Sequence, residues 1–224
     1  MRDNLTHAIE DYLKTIYDLC ATHGRATTNQ IAERLGVTPA SVTNMIKKLS
    51  ITRPPLLEYR KHRGVVLTPD GNKVALEILR HHRLLEMFLH QTLGYGWDEV
   101  HEEADRLEHV ISEEFEERMA ESLGHPAHDP HGHPIPTREL ELPLIAASSL
   151  SSLRRGQQAL VKRVPDDDSD LLRYLSELGL IPGVYLTVLA YSPFDDNLKI
   201  QIEGQPTAVV LGPAITERVF VEVL

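Results

Sequence analysis

The chain has 224 residues, 42% of them apolar, and a net charge of −10, which is enough sequence for two or three domains with sizeable cores. It contains no run of about 18 apolar residues, which argues against a membrane span, and its N-terminus lacks the apolar stretch of a secretory signal. Its single cysteine, Cys20, excludes an internal disulfide framework and favours a cytoplasmic location.

The charge is distributed unevenly along the chain. Residues 1–73 carry 11 Lys and Arg against 7 Asp and Glu, whereas residues 74–124 carry 4 against 13. A basic segment followed by an acidic one is compatible with a DNA-binding head on an acidic body. Solvated acidic helix faces would give the same excess, so charge alone does not decide between them.

The first fifty residues predict three helices. Apolar residues at helical spacing indicate a helix over 5–22. Thr27 and Gln30 predict a capping box at the start of a second helix. Thr38, followed by Pro39 in the first turn, predicts the start of a third helix.

Two short strand patterns, 56–59 and 65–68, follow the third helix and flank a basic tip at 60–64. This order is typical of a winged helix-turn-helix, in which the third helix enters the major groove. Asn44 could pair with adenine, and Ala40 could meet a thymine methyl group. The predicted DNA contacts are Thr38, Pro39, Ala40, Ser41, Thr43, Asn44 and Lys47 on the helix, and Arg60, Lys61 and Arg63 on the wing. A helix-turn-helix that only packs against protein is the alternative, but this face has no apolar stripe.

The rest of the chain changes from helical to strand patterns. A long helix is predicted from Thr68 and Pro69 to about residue 91, and another over 98–123. A Pro, Gly and His-rich loop at 125–136 is the predicted linker. Five strands then indicate a small β-barrel, at 159–164, 185–191, 198–203, 208–211 and 218–223, with one helix over 169–178 among them.

Four potential metal ligands lie on the predicted helix 98–123. His101, Asp105, Glu108 and His109 fall within an arc of roughly 100° on that helix. Burying two carboxylates and two imidazoles together is costly unless a cation joins them, so the spacing predicts a metal site. The alternative is a solvated acidic face with incidental histidines.

Three further residues support the metal site. His82 and Glu86 stand four residues apart and share a face of the preceding helix, and Asp11 lies near the start of the first helix. The loop histidines, His125, His128, His131 and His133, are instead predicted to belong to a stiff turn, because prolines and a glycine surround them.

The stretches 9–17, 82–86, 101–109 and 130–136 resemble the diphtheria toxin repressor family, which includes iron-dependent and manganese-dependent repressors. The likeness runs in order from residue 5 to the end of the chain. It implies a metal-dependent transcriptional repressor, not an enzyme, that binds palindromic operator DNA as a homodimer and controls genes of metal homeostasis.

The resemblance also implies a mainly α fold with a C-terminal small β-barrel. Its three domains would be a winged helix-turn-helix at 1–73, a helical dimerisation and metal-binding domain at 74–140, and an SH3-like, FeoA-like domain at 150–224. The primary metal site would use Asp11, Asp105, Glu108 and His109, and the ancillary site His82, Glu86 and His101. Asp167 and Asp170 are candidate ligands from the third domain, although a solvated 166–168 loop is the alternative.

Two departures from the family pattern bear on the metal. Iron-type members have a methionine and a cysteine where this chain has Asp11 and Asp105, and carboxylates favour Mn²⁺ over softer ions. Manganese-type members often carry a second carboxylate at the position of Lys14. Because this chain has a lysine there instead, two separated sites are favoured over a close metal pair. Fe²⁺ is the alternative, and Co²⁺, Ni²⁺, Zn²⁺ or Cd²⁺ could bind in vitro.

The expected mechanism is a population shift in which metal binds the DNA-competent arrangement better than a loose one. Apolar residues between the ligands, namely Leu84, Leu85, Phe88 and Leu89, are the predicted dimer surface. A metalloenzyme is an alternative from another class, although no nucleophile or phosphate-loop motif supports it. A helix-turn-helix regulator that senses an organic ligand is a third possibility.

Overall fold

A computed structural model describes residues 5–60, 63–143 and 146–224. Lys61, which sequence predicts at the tip of the wing, lies outside the described residues. The chain forms two compact units. The first unit comprises Met1–His81, Glu108–Ile111 and Pro136–Leu142, and the second comprises His82–Leu107, Ser112–Ile135 and Pro143–Leu224.

Three helices and a hairpin open the first unit, as predicted. The elements are α1 (His7–His23), α2 (Thr28–Arg34), α3 (Pro39–Ser50), β1 (Leu57–Arg60) and β2 (Gly64–Leu67). The capping box is present. The Thr27 side chain accepts a hydrogen bond from the Gln30 backbone amide, and the Gln30 side chain accepts one from the Thr27 backbone amide. The Thr38 side chain accepts from the Ser41 amide at the start of α3.

One buried core joins these elements. Leu13 and Ile16 of α1 pack in the same apolar cluster as Ile31 of α2 and Ile46 and Leu49 of α3. Burying such side chains contributes roughly 1.5–3 kcal/mol each, so α1 and the recognition helix α3 are held in a fixed relation.

The predicted helix over 98–123 is wrong. The chain forms α4 (Pro69–Leu93), α5 (Val100–Leu107) and α6 (Glu113–Ser122), with a break after Leu107. The Ser112 side chain accepts from the Phe115 amide and caps α6, so the serine starts a new helix. Glu108 and His109 therefore lie in a connecting segment and not on a helix face.

An antiparallel sheet fills the end of the second unit. Its strands are β3 (Ser148–Ser149), β4 (Gln158–Arg163), β5 (Tyr185–Tyr191), β6 (Leu198–Ile202), β7 (Val209–Leu211) and β8 (Phe220–Val223), in the order β3-β8-β4-β5-β6-β7. Two helices accompany them, α7 (Ser169–Leu178) and α8 (Pro213–Thr216). Among the described strands β3 and β7 do not pair with each other, so the sheet is open and the predicted barrel is corrected to an open sheet.

The predicted dimer surface is also corrected. Leu84, Leu85 and Leu89 are at most 3% exposed, so they pack inside the chain and are not available to a partner. Phe88 is partly exposed and meets Phe115 edge to face, with ring centroids 6.4 Å apart. Within the described residues, no helix is both long and apolar enough to cross a membrane.

Candidate metal centres and DNA-binding face

One face of α3 is polar and exposed. Thr38, Pro39, Ala40, Ser41, Asn44 and Lys47 are exposed and Thr43 is partly so. On the opposite side Val42, Ile46 and Leu49 are buried. The Thr43 hydroxyl donates to the Pro39 carbonyl at 2.9 Å, whereas Asn44 and Lys47 project from the exposed face. Arg60 and Arg63 of the wing are exposed as well.

Three predicted ligands meet in the first unit, and we call them the first cluster: Asp11, Glu108 and His109. One ligand atom from each lies within 4.8 Å of the others. His109 Nε2 is 2.9 Å from Asp11 Oδ1 and 3.5 Å from Glu108 Oε1. The Glu108 and His109 side chains are buried, whereas the Asp11 side chain is 45% exposed and leaves the cluster open to an entering ion.

Two further side chains of α1 contact the first cluster. Glu10 Oε2 lies 2.6 Å from His109 Nδ1, and Lys14 Nζ donates to Glu108 Oε2 at 2.7 Å. Burial alone would lower the pKa of His109, but hydrogen bonds to Asp11 and Glu10 and the charge of Glu108 raise it to about 9. A divalent ion would therefore have to displace a proton from His109.

The second cluster joins α4 to α5 and consists of His82, Glu86 and His101, as predicted for the ancillary site. His82 Nε2, His101 Nδ1 and Glu86 Oε1 lie 3.0 Å from one another. A single ion could accept a lone pair from all three atoms at once. Asp105, which is predicted for the primary site, lies beside this cluster, 3.2 Å from His82 Nδ1 and 3.7 Å from His101 Nε2. Its role in the primary site stays a prediction.

The third cluster lies in the loop that is predicted to be a stiff turn: Asp129, His131 and His133, together with Asp166. One ligand atom from each of the four lies within 4.8 Å of the others. His133 Nδ1 is 3.4 Å from both Asp129 Oδ2 and Asp166 Oδ2. Sequence predicts no ligand role for these histidines, although the alternation Asp129-x-His131-x-His133 places three potential metal ligands at every second residue of the loop.

The loop is built to hold these side chains. Asp129 Oδ1 accepts the backbone amides of His131 and His133 at 2.8 and 2.9 Å, which folds the loop around the carboxylate. His131 Nε2 lies 2.7 Å from the Trp97 carbonyl oxygen. Since a carbonyl only accepts, Nε2 carries a proton, and in the neutral ring the lone pair is on Nδ1.

Unsatisfied buried atoms test whether a cation fits here. Glu86 Oε2, Asp129 Oδ2, His131 Nδ1 and His133 Nδ1 are buried without a hydrogen-bond partner among the described residues. Leaving such atoms unpaired is costly, and a divalent ion would satisfy them. His131 Nδ1 is 3.8 Å from Glu86 Oε2, so the second and third clusters adjoin. The donor set of carboxylates and imidazoles therefore fits a metal ion.

Electrostatics in the second unit favours cation binding. Burial alone would raise the pKa of Glu86, but the neighbouring His82, His101 and His131 hold it well below its usual value. Burial alone would lower the pKa of His131, because it disfavours the charged imidazolium, but the carboxylates of Glu86 and Asp129 raise it to about 9. The carboxylate is therefore ionised at neutral pH, and a proton occupies the imidazole when no metal does.

The other predicted ligands from the third domain lie elsewhere. Asp167 pairs with Arg218, and Asp170 pairs with Arg173. Neither aspartate belongs to a potential metal cluster in the ranges that the structure describes. Asp166, one residue earlier in the chain, is the carboxylate that reaches the loop.

The raised pKa values predict how stability depends on pH. For a histidine with a folded pKa of about 9 against 6.5 in the unfolded chain, the stabilisation is complete below pH 6.5 and is lost as pH rises to about 9. The free energy of unfolding of metal-free protein should fall across that window, by at most about 1.4 kcal/mol per pH unit for each histidine. Urea denaturation at several pH values measures this. A flat profile would show that neither histidine is protonated in the folded state.

Comparisons with known proteins assign three segments of the chain to domain families. Residues 4–65 match the family model "Iron dependent repressor, N-terminal DNA binding domain", and residues 68–137 match "Iron dependent repressor, metal binding and dimerisation domain". Residues 148–223 match the FeoA domain.

Individual relatives include both iron and manganese regulators. The iron-dependent repressor IdeR of Mycobacterium leprae is 34% identical, over 83% of this chain and 85% of that protein. The HTH-type transcriptional regulator MntR of Geobacillus thermodenitrificans is 39% identical, over 48% of this chain and 74% of that protein. A solved structure described as a manganese-dependent transcriptional repressor in complex with manganese is 36% identical, with a TM-score of 0.88, and the match covers 96% of this chain and 100% of that one. The chain therefore belongs to the diphtheria toxin repressor family, whose members are metal-dependent transcriptional repressors and not enzymes.

Proposed function

We propose that this protein is a manganese-responsive repressor that binds palindromic operator DNA as a cytoplasmic homodimer. The domain at 1–73 would bind DNA, and the domain at 74–140 would dimerise and bind metal. The domain at 150–224 would support the metal sites. The observation that carries this proposal is the first cluster, in which α1 of the DNA-binding head contributes Asp11 and the segment 108–111 contributes the other two ligands.

The choice of manganese rests on the donor atoms. The three clusters consist of carboxylates and imidazoles, and none of them contains a cysteine in the part of the chain that the structure describes. Oxygen donors suit hard ions such as Mn²⁺, whereas thiolates and thioethers suit softer ones. Fe²⁺ is the alternative, since IdeR of Mycobacterium leprae is named as iron-dependent. Co²⁺, Ni²⁺ and Zn²⁺ would compete in vitro, because affinity for first-row ions follows the Irving–Williams order, and Cd²⁺ could bind in vitro as well.

We assign two metal sites to these residues. Asp11, Glu108 and His109, with Asp105 as a predicted fourth ligand, would hold one ion. The Lys14 ammonium donates a hydrogen bond to Glu108 Oε2, and this oxygen is then not available to a second ion. Lys14 therefore favours a single ion at the first cluster. The ancillary site would be formed by His82, Glu86 and His101 and extended by Asp129, His131, His133 and Asp166.

The first cluster supports a switching mechanism. In metal-free protein Lys14 and protonated His109 offset only part of the negative charge of the carboxylates that meet there, those of Glu10, Asp11 and Glu108. A divalent ion that replaces the His109 proton adds positive charge and would favour the closed arrangement further. Because α1 shares a buried core with α3, fixing Asp11 against Glu108 and His109 would also fix the recognition helix. Metal would thus shift the population towards the DNA-competent arrangement.

A selection experiment tests the proposed function. Protein would be incubated with a randomised DNA pool in Mn²⁺ or in chelator, and bound sequences would be recovered and sequenced. We expect a palindrome with half-sites about one helical turn, 10–10.5 base pairs, apart in Mn²⁺ and no enrichment in chelator. Equal enrichment in both conditions would favour a regulator that senses an organic ligand.

Two substitutions on α3 separate base reading from phosphate contact. Asn44→Ala should weaken operator binding by about 1–3 kcal/mol and relax specificity at one base pair, because a bidentate contact is lost. Lys47→Ala should reduce the slope of log K against log salt by about one. Fluorescence anisotropy at several salt concentrations measures both effects. Mn²⁺ affinity should be unchanged in both variants, and unchanged specificity in Asn44→Ala would remove Asn44 from the set of base-reading residues.

A further inference from the structure

We propose that Glu10 is a positioning residue that fixes the ring of His109 so that Nε2 is the metal-binding atom of the first cluster. The inference rests on the proposed function of that cluster as a metal site and deepens it. Glu10 is not one of the predicted ligands, and it belongs to no potential metal cluster among the described residues.

The two nitrogens of His109 face different carboxylates. Nδ1 lies 2.6 Å from Glu10 Oε2, whereas Nε2 lies 2.9 Å from Asp11 Oδ1 and 3.5 Å from Glu108 Oε1. Since an ionised carboxylate only accepts hydrogen bonds, the protonated ring donates one hydrogen bond from Nδ1 to Glu10 and one from Nε2 to Asp11. An ion bound by Asp11 and Glu108 would replace the proton on Nε2, and Nδ1 would keep its hydrogen bond to Glu10.

The contact between Glu10 and His109 is shielded from water. The Glu10 side chain is 4% exposed and that of His109 is 8% exposed, so water does not compete for the bond. A carboxylate in such a place is costly to bury unless a donor satisfies it. A metal-bound histidine that gives its second N–H to a carboxylate is held in orientation and becomes a more basic ligand.

A second side chain of α1 restrains the same ring. His7 stacks on His109, with ring centroids 4.8 Å apart and planes 14° apart. Glu10 therefore holds an edge of the ring and His7 lies over its face. This restraint leaves Nε2 directed at Asp11 and Glu108.

Affinity measurements on two variants test the proposal. Glu10→Gln keeps the size and an acceptor oxygen but removes the charge, and Glu10→Asp keeps the charge on a shorter side chain. We expect Glu10→Gln to weaken Mn²⁺ binding at the first cluster by roughly 10-fold to 100-fold, since outer partners of ligating histidines contribute on that scale. Glu10→Asp should recover part of the loss. Calorimetric titration of the full chain gives both values, and circular dichroism confirms that each variant is folded.

Nuclear magnetic resonance identifies which nitrogen of His109 binds the ion, and general destabilisation of the protein would not change that result. In protein labelled with ¹⁵N-histidine and loaded with ¹¹³Cd²⁺, His109 should couple to the ion through Nε2 and keep a proton on Nδ1. Coupling through Nδ1, or wild-type Mn²⁺ affinity in Glu10→Gln, would overturn the role of Glu10. Absence of any coupling to His109 would instead overturn the proposed first metal site, so the two failures are distinguishable.

Discussion

Replacing Asp11 with asparagine should abolish metal-dependent operator binding. The substitution preserves the shape of a half-exposed side chain on α1 but removes the negative charge next to His109 Nε2. Because the first cluster would then lose one of its two carboxylates, we expect Mn²⁺ affinity there to fall roughly 100-fold or more. Calorimetry measures that affinity, and fluorescence anisotropy of a labelled operator measures DNA binding.

A matched control exists on the same helix. Asp18, two turns further along α1, takes part in no potential metal cluster within the described ranges. Asp18→Asn should therefore keep both Mn²⁺ affinity and operator binding close to wild type. If Asp11→Asn also retained metal-dependent binding, the first cluster would not be the metal site that activates the protein.

Replacing His131 with glutamine should remove the ancillary ion and leave the first site intact. His131 brings Nδ1 next to Glu86 and lies in the third cluster with Asp129. Glutamine cannot supply an imidazole lone pair, so the number of Mn²⁺ ions bound per chain should fall by one. The buried Glu86 would also lose a cationic neighbour, which should lower the free energy of unfolding by about 1–3 kcal/mol.

The only tryptophan of the sequence reports on this site. Trp97 stacks on His131, with ring centroids 5.7 Å apart, and a protonated imidazole quenches indole emission. Metal that displaces the proton from His131 should therefore change the emission of wild-type protein, and this change should vanish in His131→Gln. The control is His125→Gln, an exposed histidine earlier in the same loop. A metal-dependent emission change that survives in His131→Gln would place the ancillary ion elsewhere.

The DNA-binding head could be predicted from sequence because its signals are local. Thr27 with Gln30, and Thr38 with Pro39, are capping patterns that read the same way in any context, and both caps are present in the structure. The strand pattern of the C-terminal domain was also local, and β5 (Tyr185–Tyr191) begins and ends at the predicted residues. The open sheet could not be foreseen, since closure depends on whether the edge strands β3 and β7 meet.

The errors arose where the outcome depends on distant contacts. Helical spacing placed Glu108 and His109 on one helix with His101, but Ser112 caps a new helix and the segment between joins the first unit. The prediction that Asp11 and His109 share a cluster rested on family resemblance and not on spacing. Likewise, His131 and His133 looked like turn residues, because their partners Trp97 and Asp166 lie more than thirty residues away in the chain.

The dimer surface shows the same limit. Leu84, Leu85 and Leu89 recur at helical spacing on α4, and sequence cannot distinguish a stripe that meets a partner from one that packs internally. The structure buries all three within the chain. A family model described as a metal binding and dimerisation domain covers residues 68–137, so the dimer contact is expected within that range but not at these leucines.

The central claim is that a divalent metal controls DNA binding, and an anaerobic titration tests it most directly. Metal-free protein would be mixed with a labelled operator at fixed salt, and anisotropy would be followed as Mn²⁺ or Fe²⁺ is added and then removed with chelator. We expect tight binding that appears with Mn²⁺ and is reversed by chelator, whereas binding that only Fe²⁺ induces would overturn the choice of manganese. The same operator affinity with and without metal would contradict the central claim.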